Sequence, residues 1–176
     1  MRIFFILSVI LLILSSAGNI FASDAIGTAG DAVALATPAT ALFMTLTRSD
    51  KDGALQFLES YAASSAVTFG LKYSVKERRP NGEKHSFPSF HASSAFSAAT
   101  FIRNRYGWSY GIPAYLAASF VGWSRIEEKE HWPKDVIAGA AIGIVSGFIF
   151  AKPYKGAEVT PVMGNHFFGL AFSKRF

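Results

Sequence analysis

The chain has 176 residues, 51% hydrophobic and 16% charged, with no cysteine and a formal net charge of +5. That is about one domain of chain with ample apolar side chains for a core, which excludes disordered, low-complexity and collagen-like classes. Lack of cysteine excludes a disulfide framework, a thiolate zinc site, an iron–sulfur cluster and a cysteine nucleophile. The basic balance permits anionic partners (phosphates, nucleic acid or acidic lipid headgroups) without choosing among them.

Residues 1–22 come first. Arg2 precedes an apolar run from Ile3 to Leu14, and small and polar residues follow. This is the architecture of a secretory signal, with cleavage after Ala17 or Ala22. The run is shorter than the roughly 20 residues a membrane span needs. An uncleaved anchor is the alternative. Both readings export the remaining chain, to a bacterial periplasm or the periplasmic face of the inner membrane.

Beyond residue 22, charges leave uncharged runs at 32–47, 60–71, 86–102, 106–124 and 136–151, all rich in Ala, Ser and Gly. β-branched alternation is nearly absent before residue 157. The runs predict five helices, at about 30–47, 52–75, 89–105, 110–128 and 133–151. Asp50–Gly53 offers a turn with capping residues, and Pro80-Asn81-Gly82 breaks the chain after the second helix. Pro133 suits the first turn of the last helix, where its missing N–H costs nothing. The expected fold class is all-α, a compact bundle of about five helices over 23–156.

The uncharged runs are borderline in length for crossing a membrane. Ser94, Ser97 and Thr100 would be out of place facing lipid, but Ala/Ser/Gly content suits close helix packing in lipid or water. A bundle embedded in or lying on a membrane is favoured over a freely soluble one. Residues 157–176 read as an extended or hairpin tail, with a tight turn at Gly164-Asn165 and a period-2 face of Phe168, Leu170, Phe172 and Phe176. A terminal Phe also ends many outer-membrane barrel strands, but one strand cannot close a barrel.

Three blocks carry chemistry. Lys72 and Arg79 are seven apart, two helical turns, and offer a point charge and a planar fork to phosphate oxygens. Taken alone, they read equally as a solvated basic helix end. Pro88-Ser89-Phe90-His91 opens the third helix, where unpaired N–H groups and the dipole favour an anion; a plain Ser N-cap explains Ser89 as well. His131 and Asp135 are four apart, so the carboxylate can accept from one imidazole nitrogen and leave the other as base or nucleophile. Arg125, six residues before His131, can bring another guanidinium to the same anion. The four histidines, His85, His91, His131 and His166, lack compact ligand spacing and sit among cations. The donor set therefore favours an oxyanion over a metal, and no cofactor is called for. Two His, one Asp, three cations and a helix N-terminus suit phosphoryl transfer through a phospho-histidine.

Lys-x6-Arg-Pro, Pro-Ser-x-His and Ser-Arg-x5-His-x3-Asp together resemble the three-part signature of the type 2 phosphatidic acid phosphatase superfamily. That superfamily also includes bacterial non-specific acid phosphatases and vanadium haloperoxidases. The match rests on Lys72/Arg79/Pro80, Pro88/Ser89/His91 and Ser124/Arg125/His131/Asp135, with the helical pattern extending it over about 30–151. The resemblance implies that His131 is the nucleophile, Asp135 its orienting partner and His91 the general acid and then base. It also implies that Lys72, Arg79, Ser89, Arg125 and the backbone N–H of Phe90 bind phosphate, and that no metal is needed.

One position departs. The family's second motif normally has Gly where this chain has Phe90, which keeps the N–H but adds bulk and disfavours positive φ. Either the local backbone is helical enough for Phe, or activity is altered. The ring could also meet an acyl or isoprenoid chain.

The leading expectation is a phosphatase acting on a lipid phosphate or diphosphate, such as phosphatidic acid, phosphatidylglycerol phosphate, undecaprenyl diphosphate or a lipid A phosphate. A soluble periplasmic acid phosphatase of broad specificity, a haloperoxidase and a catalytically impaired anion-binding bundle are the alternatives. Nucleic-acid binding has only net charge behind it. The oligomeric state is open.

Overall fold

The computed structural model describes residues 22–154, 157–164 and 167–174. The expected export signal, apart from Ala22, lies outside the described residues, as do Asn165, His166 and Phe176 of the tail. Among the described residues there are five α-helices: α1 (Ala22–Thr47), α2 (Lys51–Ser74), α3 (Phe90–Tyr106), α4 (Trp108–Glu127) and α5 (Pro133–Phe150). Strands β1 (Ala157–Gly164) and β2 (Phe167–Lys174) follow, paired antiparallel from Ala157↔Lys174 to Gly164↔Phe167. The all-α bundle read from the sequence is the observed architecture. The boundaries of α2 to α5 fall close to expectation. The first helix is already formed at Ala22, the first described residue, rather than beginning near residue 30.

The caps follow the local chemistry. The Asp50 carboxylate accepts the Gly53 N–H at 2.9 Å and starts α2. Pro133 occupies the first turn of α5, and Asp135 Oδ2 accepts the Trp132 N–H at 3.0 Å.

α3 is the central element and packs against all four other helices. Its inward faces are built from Ala, Ser and Thr, so neighbouring backbones come close. A Cβ added at Gly139 would lie 2.3 Å from the Ser89 carbonyl oxygen, and one at Gly143 would lie 2.3 Å from that of Ser93. The α3 hydroxyls pair with those of its neighbours: Ser97 with Ser60 at 3.0 Å, Ser93 with Thr68 at 2.9 Å and Thr100 with Tyr115 at 2.8 Å. These residues are therefore interhelical, and their polarity is satisfied inside the bundle. Beyond them an apolar cluster forms around Phe57, Ala98 and Phe101. At that end Arg105 makes a buried two-pronged pair with Asp50, at 2.5 and 2.8 Å.

The outside of the bundle is apolar. Leu35 and Leu46 of α1, Leu116 of α4, and Ile137 and Ile149 of α5 are each more than 60% exposed. Among the described residues two helices are long and apolar enough to cross a membrane, Ala25–Thr47 and Pro133–Phe150.

Candidate active site

The three blocks converge at the end of the bundle where α2 and α4 finish and α3 and α5 begin. Between α2 and α3 the chain doubles back at Pro80-Asn81-Gly82. Arg79 N–H donates to Glu83 O at 2.8 Å, and the Asn81 side chain accepts the Glu83 N–H at 3.0 Å. This hairpin is tied to the loop before α5: Asn81 N–H donates to Lys129 O at 3.1 Å, and the Trp132 indole donates to Arg78 O at 3.0 Å. The second and third blocks meet through main chain, with the Ser89 N–H donating to Asp135 O at 3.0 Å. The third block is folded on itself, because the His131 N–H donates to Arg125 O at 3.1 Å.

Lys72 reaches in from the last turn of α2 and donates to His85 O at 2.8 Å. Burial, then the charge of Arg79, lowers its pKa to about 8. Arg79 pairs with Glu130 and, at 3.1 Å, with Glu83. Arg125 is buried and donates to Asp31 Oδ1 at 2.7 Å, Gly27 O at 2.9 Å and Ser124 Oγ at 3.3 Å. Ser89 is fully buried and caps α3, its Oγ accepting from the Ala92 N–H at 3.4 Å.

Phe90 is the first residue of α3 and has no left-handed backbone. Side-chain bulk is therefore tolerated where the family has Gly. Its ring stacks on Phe69 of α2, with centroids 4.8 Å apart, and meets His91 edge-on.

His131 and Asp135 are both buried. Their side chains stop short of a hydrogen bond: Nδ1 stands 3.6 Å from Oδ2, and no partner is found for Nδ1 or for Asp135 Oδ1. The spacing led to the expectation of a direct bond. Oδ2 is instead taken by the Trp132 N–H and by Ser86 Oγ at 2.5 Å. Burial, then the charges of Lys72 and Arg79, pushes the His131 pKa down to about 3 against the opposing pull of the Ser86 backbone, so the ring is neutral at pH 7. His91 is half-buried, and its pKa is lowered by burial and by Arg125.

Lys72, Arg79, Ser89, Phe90, His91, Arg125, His131 and Asp135 thus lie in one cluster. Ser86, Asp31 and Glu130 belong to it as well and were missed. Ser86 had only its place beside Phe87-Pro88 as a signal, and Glu130 read as one charge in a solvated run. Asp31 is 94 residues from its partner Arg125 and had no local signal. Among the described residues no group of three or more His, Cys, Asp or Glu is placed to hold a metal.

Comparisons with known proteins point the same way. The chain is 44% identical to the lipid A 1-phosphatase of Porphyromonas gingivalis, over 52% of this chain and 22% of that protein. It is 30% identical to the lipid A 4'-phosphatase of Helicobacter pylori, over 52% of each. It is 36% identical to the undecaprenyl-diphosphatase BcrC of Bacillus subtilis, over 47% of this chain and 42% of that one. The chain thus spans about half, or less, of the length of these curated relatives. The crystal structure of Aquifex aeolicus LpxE shares the fold at a TM-score of 0.62 and 24% identity, covering 81% of this chain and 92% of that one. A Bacillus subtilis transmembrane PAP2-type phosphatidylglycerolphosphate phosphatase shares it at a TM-score of 0.58 and 21% identity, covering 82% and 84%. The PAP2 superfamily model matches residues 53–156, the stretch that holds all three blocks, and the chain belongs to that superfamily.

Proposed function

We propose that the chain is a metal-independent phosphatase that hydrolyses a lipid phosphate or diphosphate through a phospho-histidine, at the exported face of a membrane. The observation that carries this reading is the convergence of His131 and His91 with Lys72, Arg79 and Arg125 beside the N-terminus of α3, within a PAP2 bundle. The neutral His131 attacks phosphorus and the bond to the leaving oxygen breaks, that oxygen taking its proton from His91. His91 then accepts a proton from water, which displaces phosphate from His131. The cations and the α3 N–H groups balance charge on the equatorial oxygens. Asp135, held in place by Ser86 and Trp132, stabilises the positive charge that forms on His131.

A lipid substrate fits the surface. The apolar exterior and two span-length helices support membrane association. At the site's end, exposed Tyr73 and Trp132 lie among Lys76, Arg78 and Lys84, a rim suited to headgroup level. The named relatives act on lipid A and undecaprenyl diphosphate, which supports the same class here.

The test is a panel with purified full chain in detergent: a lipid A phosphate, undecaprenyl diphosphate, phosphatidylglycerol phosphate, phosphatidic acid and a soluble aryl phosphate. The expected result is a higher kcat/KM on at least one lipid than on the aryl ester. Preference for the aryl ester over every lipid would replace this reading with that of a broad-specificity acid phosphatase.

A further inference from the structure

α1 lies outside the segment that the family model matches. Over Ala25–Thr47 it carries a single ionisable residue, Asp31. Its side chain is 59% exposed, so burial does not force it into an ion pair. Asp31 has two partners, both from the catalytic blocks. Its Oδ1 is 2.7 Å from Arg125 Nη1 and 3.4 Å from His91 Nε2.

The helix is seated so that this happens. Gly27, Gly30 and Asp31 are three and four residues apart and share a face. A Cβ at Gly30 would fall 2.1 Å from Ser124 Oγ and 2.7 Å from Arg125 Nη2, and one at Gly27 would fall 2.7 Å from Glu128 Oε2. At Gly30 only a bare backbone comes this near, and the Gly27 carbonyl uses the approach to accept from Arg125 at 2.9 Å.

We propose that Asp31 is a positioning residue of the phosphoryl-transfer site, its carboxylate holding the His91 imidazole and the Arg125 guanidinium side by side for the leaving oxygen and the phosphate. The assignment rests on the function proposed above and adds to it a residue from outside the three motifs. The charged and titratable groups facing His91 are Arg125 of α4, Asp31 of α1, and Arg79, Glu130 and His131 from the loops. Arg125 and Arg79 disfavour the imidazolium that a general acid needs, whereas Asp31 and Glu130 favour it.

The test uses the full chain in detergent, with Asp31→Asn and Asp31→Glu. The His91 imidazole is titrated by NMR, its signal assigned by substituting each histidine in turn, and kcat and KM are measured across pH. Asp31→Asn should move the His91 titration to lower pH and carry the alkaline limb of kcat/KM with it. It should also lower kcat by about tenfold or more, a share of the roughly 100- to 10,000-fold that a positioned acid contributes. Asp31→Glu should restore part of both. An unchanged His91 titration overturns the proposal whether or not turnover is seen. So does a fall in KM with kcat retained, which would make Asp31 a competitor for the phosphate seat. A wild-type chain inactive on every substrate would instead sink the proposed function, and the titration would still decide the role of Asp31.

Discussion

The Ser89 N–H and the Asp135 carbonyl are joined by a 3.0 Å main-chain hydrogen bond, which fixes the second motif against the third without any side chain. One turn further along α5, Gly139 leaves room for the Ser89 carbonyl. The spacing of His91 from His131 is therefore set by backbone contact. Gly139→Ala should force the two motifs apart, costing about 1–3 kcal/mol as overpacking does and lowering kcat. Gly70→Ala, where nothing lies within 4 Å, is the control and should leave both unchanged or raise stability slightly. Thermal unfolding and kcat of the two variants check this.

His131→Ala should abolish turnover, since it removes the proposed nucleophile. Orthovanadate should inhibit, because its trigonal bipyramidal adduct resembles the transferring phosphoryl group and such mimics bind tightly. EDTA should have no effect. Loss of activity in EDTA, restored by a divalent cation, would place the protein in another mechanistic class.

The pH dependence of kcat/KM reports the free enzyme. Burial and the charge of Arg125 hold the His91 pKa below the usual imidazole value, so the proposed general acid loses its proton, and activity falls, as pH rises through that lowered value. His131 stays neutral down to about pH 3, which puts the acid limb there. Lys72 loses its charge as pH rises through about 8, so KM should climb further above that. Rate measurements on aryl phosphates whose phosphate groups differ in pKa separate these limbs from ionisation of the substrate.

Phe90 has one ring face covered by Phe69, and Phe69 is itself 40% exposed. Phe90→Ala should weaken a lipid phosphate more than a soluble ester, by roughly fivefold in kcat/KM, about 1 kcal/mol for the part of the ring left free. Phe90→Gly adds a helix penalty of up to about 1 kcal/mol, and comparing the two separates ring from backbone. An equal loss on both substrates would leave Phe90 as a packing residue only.

Arg105→Met should destabilise the protein by about 3–5 kcal/mol, because it strands Asp50 in the interior. Burial alone would raise the Asp50 pKa, but hydrogen bonds from Arg105, the Gly53 N–H and Tyr106 outweigh it and hold it below the usual value. The pair's contribution is therefore present above the unfolded pKa and is lost as pH falls through the folded one. Unfolding of wild type and variant at neutral and acid pH checks both size and sign.

The helices were legible because charges bound each apolar run, and Asp50 and Pro133 carry local capping signals. The three blocks were legible because each is short and fixed in spacing. What spacing could not convey is which oxygen takes which proton. His131 and Asp135 stand at i and i+4, yet Ser86 and the Trp132 N–H occupy the carboxylate that faces the ring. Asp31 was illegible for a different reason. Its partners come from α3 and α4, and only the docking of α1 through Gly27 and Gly30 brings them within reach.

The small, hydroxyl-bearing α3 also constrains how the protein is made. Ser93, Ser97, Thr100, Asn104 and Arg105 are buried on it. Alone in hydrocarbon, its unpaired hydroxyls and guanidinium would each be penalised, since lipid offers them no partners. If the bundle sits in a bilayer, as the proposed function has it, α3 needs a waiting groove there, and the glycine face that receives it belongs to α5, which is synthesised later. During biogenesis α3 is expected to wait at the interface until α5 emerges. A chain ended before residue 133 should leave α3 open to protease, whereas the full chain should protect it.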